Sequence, residues 1–309
     1  MSLSRPSWPV RDDIRTLFSD RRPRIVITVG PAAVWLSLFV LLPLFFLVVV
    51  SFTTTNERFD IVWEPTLVNY RTLLFREGLS MWETPFARSL VFSYKIATAT
   101  TVLSFLVSFP VAYLLARRSG RFVRVTLFFL LVPFFSIYIV RIYAWFTIFG
   151  NGGAANSILL ASGLISEPLE ILGFGTLPTL VSLTHAFVPY MLLTMYANLD
   201  GVDFTLVDAA RDLGASSVGA FKDIVLPLVS SGIVAGSVFV FIPSLGAFVA
   251  PEILGQGQFI MFGQMIVDRI HQQYSIGYGS AVAMFIGIAV IVTFVAIYRV
   301  SGIEEFVDL

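Results

Sequence analysis

The sequence predicts an all-α, polytopic membrane protein with six transmembrane helices, and composition and the lengths of the apolar runs support this. Hydrophobic residues make up 57% of the 309 residues, whereas charged residues make up only 13%. That charged fraction is about half of the usual share in soluble domains. The apolar runs reach the roughly 20 residues that a helix needs to cross ~30 Å of hydrocarbon. We therefore expect a helical bundle surrounded by lipid.

The transmembrane domain is predicted to cover residues 25–299, between a polar N-terminal segment (1–24) and a C-terminal tail (300–309). The six spans are expected at residues 25–52, 86–116, 125–149, 176–198, 228–250 and 276–298. A secretory signal peptide is the alternative for the first run. That run is too long for the apolar core of a signal peptide, and no small-residue cleavage site follows it. An uncleaved first span is the better interpretation.

The distribution of arginine predicts the orientation of the chain. Arginines are concentrated in the N-terminal segment and in the short loop that follows the second span, at Arg117, Arg118, Arg121 and Arg124. In the loops on the opposite side, Arg alternates with Glu and Asp. The positive-inside rule then places both termini, and the polar stretch 200–227, in the cytoplasm.

The composition also excludes several classes of function. The 20 basic and 20 acidic residues balance, so there is no basic face for nucleic acid. The absence of cysteine excludes disulfides and thiolate metal sites. With only two histidines and no clustered carboxylates, a metal or hydrolytic site is not expected.

The stretch 200–227 is polar and helix-forming, and it separates two apolar spans. Ala and Leu favour a short helix over 208–213, and Gly214 suits a turn with positive φ at the end of that helix. A second short helix is expected over 215–225, ended by Leu226 and Pro227. Its packed side should hold four apolar residues at helical spacing, namely Val218, Phe221, Ile224 and Val225. The whole stretch therefore indicates a stiff docking element.

Asp208-Ala209-Ala210, Gly214 and Ile224-Val225-Leu226-Pro227 closely resemble the EAA loop of the membrane-spanning subunits of type I ABC importers. The resemblance implies the MetI-like permease fold of that family and a coupling helix that sits in a groove of an ATPase. The residues that match this coupling site are Asp208, Ala209, Ala210, Gly214, Leu226 and Pro227. The family's leading Glu is Asp208 here, so any salt bridge at this position has a shorter reach.

The resemblance also implies the partners and the location. An importer of this type combines two permeases, an ATPase dimer, and a periplasmic or lipid-anchored solute-binding protein in the bacterial inner membrane. The sequence does not decide whether the second permease is a copy of this chain, and the resemblance favours a different one. This chain has no phosphate-binding Gly-x-x-x-x-Gly-Lys-Ser/Thr loop, so ATP and Mg²⁺ belong to the ATPase and no cofactor is expected here.

The run from residue 242 to residue 255 resembles the spermidine/putrescine branch of the family, which also imports opines and other small organic solutes. Pro243, Gly246 and Pro251 favour a broken helix lining a cavity, although a plain proline kink explains Pro243 equally well. The loop 151–175, with its Asn151-Gly152-Gly153 start, resembles the outer loop of the same family and predicts a short interfacial helix. The expected solute is a polyamine, with an opine or an amino-acid-like solute as the alternative.

Four side chains are candidates for the solute path. Glu252 and Asp268 are placed to meet a cation arriving from outside. Contact with neighbouring loops or with a delivery protein is the alternative for both; it explains Glu252 equally well and is the better interpretation of Asp268. His185 and Tyr190 could line the route within the fourth span, where interhelical hydrogen bonding is the other interpretation of His185.

Two cations lie at membrane depth, where charge is costly. Lys95 is expected to extend outward along the second span. Arg141, between Tyr138 and Tyr143, either contacts another subunit or stacks on an aromatic ring. Because Arg would repel a polyamine, Arg141 either faces away from the route or counts against a cationic solute.

Two rival functions remain. A stand-alone secondary transporter would be expected to have inverted repeats and charged relays, which the sequence lacks. An intramembrane enzyme is disfavoured by the scarcity of His, Cys and paired carboxylates.

Overall fold

The computed structural model describes residues 30–56, 58, 60–75, 78–272 and 275–300. The predicted N-terminal segment, the start of the first span and residues 301–309 of the tail lie outside this part. The helices are α1 (Gly30–Ser51), α2 (Val68–Leu74), α3 (Pro85–Ala116), α4 (Arg121–Leu131), α5 (Tyr138–Ile148), α6 (Ala154–Ala161), α7 (Thr176–Leu199), α8 (Thr205–Asp212), α9 (Ser217–Leu228), α10 (Ser230–Leu245), α11 (Val249–Gly255), α12 (Phe262–Val267) and α13 (Ile276–Val300). Single 3-10 turns lie at Met81–Glu83, Val132–Phe135 and Glu170–Leu172. Two short antiparallel strands, β1 (Thr54–Thr55) and β2 (Ile61–Val62), lie in the ordered loop after α1.

The predicted all-α membrane fold is confirmed. Within the described residues, four helices are long and apolar enough to cross a membrane, namely α1, α3, α7 and α13. They correspond to the first, second, fourth and sixth predicted spans. The bent pair α9 and α10 brings the number to five if it is counted as one span.

The third predicted span is not a single helix. α4 ends at Leu131, a 3-10 turn follows, and α5 begins only at Tyr138. Pro133 lies in this turn, and proline has no backbone N–H to donate to a helix. Each piece has 11 residues, about 16 Å of helix. The prediction of one continuous helix over 125–149 was therefore wrong.

The fifth predicted span is bent at one end and broken at the other. α9 meets α10 at an angle of 67°, and α9 runs to Leu228, past its expected end at Pro227. α10 ends at Leu245, Gly246 lies outside the helix, and α11 begins at Val249. The predicted break is confirmed at Gly246, whereas Pro243 lies inside α10.

The centre of the bundle is formed by α3, α7 and α10, and α13 packs against α1. Small residues allow the close approach. A Cβ on Gly236 of α10 would lie 2.5 Å from Thr194 Oγ1 and 2.6 Å from Met191 Sδ on α7. On α3, buried Ser and Thr recur along the face that meets the other two helices, as is common where membrane helices pack tightly.

Candidate coupling knob, acidic pair and membrane cavity

The knob, defined as residues 205–228, consists of α8, a glycine turn and α9. Gly214 has φ +94°. Its backbone N–H donates to the Arg211 carbonyl (2.9 Å), and the N–H of Ala215 donates to the Ala210 carbonyl (3.0 Å). These two bonds form a Schellman motif, which needs a left-handed residue at the position of Gly214. The predicted positive φ at Gly214 is confirmed.

The knob has a packed face and an exposed face. Val207, Ala220 and Val225 are buried in one cluster with residues of α3, α7 and α10. Leu213 and Val218 are 90% and 75% exposed. The expectation that Val218 lies on the packed side was wrong, because a π turn over Phe221–Val225 shifts the helical phase between Val218 and the packed residues.

The structure brings the predicted coupling residues together on this knob. Asp208 and Ala209 are exposed on α8, and Pro227 is exposed near the end of α9. Ala210 and Leu226 are half-buried. The side chain of Asp208 faces Arg117, at 3.8 Å between Oδ1 and Nη2. Arg117 was not among the predicted site residues, although it follows aromatic residues on α3 at intervals of four.

Glu252 and Asp268, called here the acidic pair, lie at the end of the bundle opposite the knob. Gln264 Nε2 donates to Glu252 Oε2 (2.8 Å), and the Met261 backbone N–H donates to Gln264 Oε1 (2.9 Å). Gln264 is buried, so it holds the exposed Glu252 carboxylate in one orientation. Burial raises the pKa of Asp268 above its ordinary value of 3.8, the negative charge of Glu252 raises that pKa further, and Arg269 lowers it. The protonation of Asp268 therefore depends on the charge of Glu252.

A half-open cavity of about 470 Å³ lies between α3, α4, α5 and α7, and several of its lining side chains are exposed on this chain. Its polar groups come from Arg141, Trp145, Thr184 and His185. Among the described residues, no carboxylate lines the cavity. The remaining lining side chains are apolar, namely Leu103, Val107, Phe129, Leu130, Val181, Val188 and Pro189. His185 is nine residues after the first residue of α7, or about 14 Å along the helix.

Arg141 is the charged group of this cavity. Its guanidinium lies 5.4 Å from the ring centre of Phe134 and 5.8 Å from that of Tyr138. The predicted aromatic stacking of Arg141 is therefore present. Its Nε is buried without a hydrogen-bond partner among the described residues. An unsatisfied buried N–H of a charged group is costly, so a ligand or partner group that accepts this hydrogen bond would be favoured.

His185 and Tyr190 have different surroundings. Trp145 Nε1 donates to His185 Nδ1 (3.4 Å), so this nitrogen acts as an acceptor. The ring of Tyr190 packs against Phe134, with centroids 4.7 Å apart. Lys95 is exposed on α3, as expected for a side chain that extends outward. The four predicted path residues thus fall into two groups, with the acidic pair separate from His185 and Tyr190.

No group of three or more His, Asp or Glu that could hold a metal ion occurs within the described ranges.

Comparisons with known proteins agree with this geometry. A family described as "Binding-protein-dependent transport system inner membrane component" matches residues 101–301, which include α7, the knob and the acidic pair. The chain belongs to this family. It is thus a permease subunit of a membrane transport system and not an enzyme.

Relatives of this permease cover most of its length. It is 27% identical over 275 residues to the spermidine/putrescine transport system permease protein PotB of Haemophilus influenzae, covering 89% of this chain and 93% of the relative. It is 31% identical to PotB of Salmonella typhimurium, over 75% of this chain and 78% of the relative.

A solved structure shares the fold of this permease. It is a bacterial alginate ABC transporter in complex with alginate pentasaccharide-bound periplasmic protein, matched at a TM-score of 0.69 and 14% identity. The match covers 95% of this chain and 97% of that chain, so the likeness extends over nearly the whole bundle.

Proposed function

We propose that this chain is a permease subunit of a bacterial ABC importer that carries a polyamine such as spermidine or putrescine across the inner membrane. The names of its relatives support the solute, and the acidic pair supplies carboxylates suited to an ammonium group. The exposed face of the knob supports docking of a partner ATPase, whose hydrolysis of ATP drives transport in this proposal.

In the proposed mechanism the ATPase holds the exposed face of the knob and moves it when nucleotide closes the ATPase dimer. α8 is joined to α7 by a short connection, and α9 leads directly into α10. Both spans therefore follow the knob, and the path alternates between two openings, as in other two-state transitions. The second permease completes the path, and a solute-binding protein delivers the solute at the opposite end.

The Schellman turn at Gly214 is the single observation that carries this proposal, because it fixes the angle between α8 and α9. We expect Gly214→Val to abolish uptake and to weaken copurification of the ATPase. No atom lies within 4 Å of the position of an added Cβ, so the effect would come from backbone strain and not from a clash.

Gly163→Val is the matched control. Gly163 has φ +73° and equally open surroundings, but it lies in the loop after α6. Uptake and ATPase copurification should stay at the wild-type level in this variant. Wild-type uptake in Gly214→Val would overturn the coupling role of the knob.

The cytoplasmic position of the knob has a direct test, because the chain contains no cysteine. In vesicles prepared without the ATPase subunit, which would otherwise cover the exposed face of the knob, Leu213→Cys should react with a membrane-impermeant maleimide when the vesicles are inverted and not when they are right-side-out. The opposite pattern would place the knob in the periplasm and refute the mechanism.

A second candidate solute is a small amino acid or opine, and Arg141 is the observation that favours it. A guanidinium with a free buried N–H, in a mostly apolar cavity that no described carboxylate lines, suits a carboxylate. Uptake of labelled putrescine and of a labelled amino-carboxylate by the complete transporter in proteoliposomes distinguishes the candidates. The polyamine proposal expects ATP-dependent uptake of putrescine alone.

A further inference from the structure

One face of α3 carries a stripe of residues spaced by four, Phe105, Phe109, Tyr113 and Arg117. Residues at this spacing lie above one another on a helix. The rings of Phe105 and Phe109 are 5.6 Å apart, and those of Phe109 and Tyr113 are 6.1 Å apart. The stripe ends at Arg117, the first residue after α3. It therefore points toward the knob.

This stripe contacts α9 of the knob and also Phe204, the residue directly before α8. Phe109 meets the ring of Phe221 on α9 edge to face at 5.3 Å, and Tyr113 meets Phe204, directly before α8, at 5.6 Å. Edge-to-face pairs at these distances are attractive. α3 thus holds α8 and α9 as one unit, although its own sequence is far from theirs.

Arg117 joins the stripe to α8 in two ways. Its guanidinium lies 5.2 Å from the ring centre of Tyr113 and 5.0 Å from that of Phe204, so it touches both aromatic residues. Its Nη2 lies 3.8 Å from Asp208 Oδ1. An exposed ion pair alone contributes little. A planar guanidinium that is also in contact with two rings has a fixed geometry that a lysine ammonium cannot reproduce.

We propose that Arg117 is a positioning residue that latches the knob to α3, so that nucleotide-driven motion of the knob moves α3 together with α7 and α10. Because α3 lines the membrane cavity through Leu103 and Val107, the latch carries the motion of the knob to the cavity wall. This inference rests on the proposed coupling role of the knob.

The test uses the complete transporter, purified through this chain and reconstituted in proteoliposomes, and measures solute moved per ATP hydrolysed. We expect Arg117→Gln to lower this ratio by at least about fivefold, the lower end of typical coupling between sites, while the complex stays assembled and still hydrolyses ATP. Arg117→Lys should restore only part of the ratio. The matched control is Arg118→Gln, the same change at the neighbouring exposed residue, which should keep the wild-type ratio.

The distance between two spin labels provides a readout that a purely structural role of Arg117 would not change. Leu114→Cys on α3 and Lys222→Cys on α9 are both exposed, and this chain contains no other cysteine. In the wild-type background the distance between the labels should stay constant between the nucleotide-free and the ATP–vanadate-trapped complex. In Arg117→Gln this distance should change between the two states.

The outcomes separate the latch from the coupling mechanism. If Gly214→Val abolishes uptake while Arg117→Gln keeps the wild-type transport ratio, the latch is refuted and the coupling role stands. A label distance that changes between the two states in the wild-type background would also refute the latch. If Gly214→Val keeps wild-type uptake, the coupling role itself fails.

Discussion

The acidic pair and the membrane cavity are two charged regions of opposite sign in one bundle. Glu252 and Asp268 lie at the end opposite the knob and raise the local negative charge. Arg141 lies in the cavity, which His185 also lines. A cation is therefore attracted at one region and repelled at the other, whereas an amino-carboxylate would be attracted by both.

The two regions are also held by different forces. Glu252 is fixed by hydrogen bonds through Gln264 to the Met261 backbone, and it stays exposed, where charge costs little. Arg141 rests on the rings of Phe134 and Tyr138, where neither ring neutralises it. The acidic pair needs no partner to be stable, but the cavity does. This difference makes the solute, or a second permease, the natural source of an acceptor for Arg141.

Among the variants that test the two regions, Glu252→Gln should change the uptake rate most. With a polyamine as the solute, we expect the uptake rate from saturating, solute-loaded binding protein to fall about tenfold, since a lost charge-assisted hydrogen bond costs ~1.5 kcal/mol. Glu170→Gln, the same change at another exposed carboxylate at this end, should have no effect. An unchanged rate in Glu252→Gln would remove Glu252 from the path.

Arg141→Met tests the other half of the comparison. Met fills a similar apolar volume without a charge. If the solute is a polyamine, we expect its uptake rate to rise by up to about fivefold, because removing a like charge roughly 10 Å from the path is worth ~1 kcal/mol at an effective dielectric of about 35, between the values for a protein surface and for water.

The control is Lys95→Met, which removes a cation from the outward surface of α3 and should leave the rate unchanged. A loss of uptake in Arg141→Met, with the complex intact, would favour a solute with a carboxylate and count against the polyamine proposal.

Local signals in the sequence predicted the structure of the knob better than that of the other regions. The knob depends on a glycine turn and short-range helix propensity, so its turn at Gly214 could be predicted from neighbouring residues alone. The phase of α9 could not, since the π turn over Phe221–Val225 leaves no clear mark in the sequence. The break of the third span had a signal in Pro133, which a hydropathy pattern averages away.

Contacts between distant elements were out of reach of the sequence. Trp145 and His185 are 40 residues apart, and Arg117 and Asp208 meet only because α3 and α7 end at the same side of the bundle. The spacing of Phe105, Phe109, Tyr113 and Arg117 marks a continuous face of α3 without identifying its partner. Identification of such sites needs the packing of the whole bundle.

The pH dependence of uptake provides a smaller test of the acidic pair. The pKa of Asp268 is raised, so this carboxylate takes up a proton at a higher pH than an ordinary Asp and loses its attraction for a cation there. We expect uptake of a polyamine to fall about threefold as the external pH decreases through this pKa, an effect of under 1 kcal/mol.

The decrease in uptake at low pH, called here the acid limb, should move to lower pH in Glu252→Gln, because the charge of Glu252 contributes to the raised pKa of Asp268. Asp268→Asn should remove the limb. An acid limb that is the same in wild type and Asp268→Asn would assign it to another group.

The hydrogen bond between Trp145 and His185 should give the smallest effect. At 3.4 Å it is long for an N–H donor, and Trp145→Phe would remove the indole N–H while keeping an aromatic ring in the cavity. We expect the midpoint of thermal unfolding of the complex to fall by only a few degrees, since such a bond contributes about 1 kcal/mol or less, and uptake should be unchanged. A large loss of uptake at unchanged thermal stability would mean that His185 needs this bond to meet the solute, and it would move the solute path from the acidic pair into the cavity.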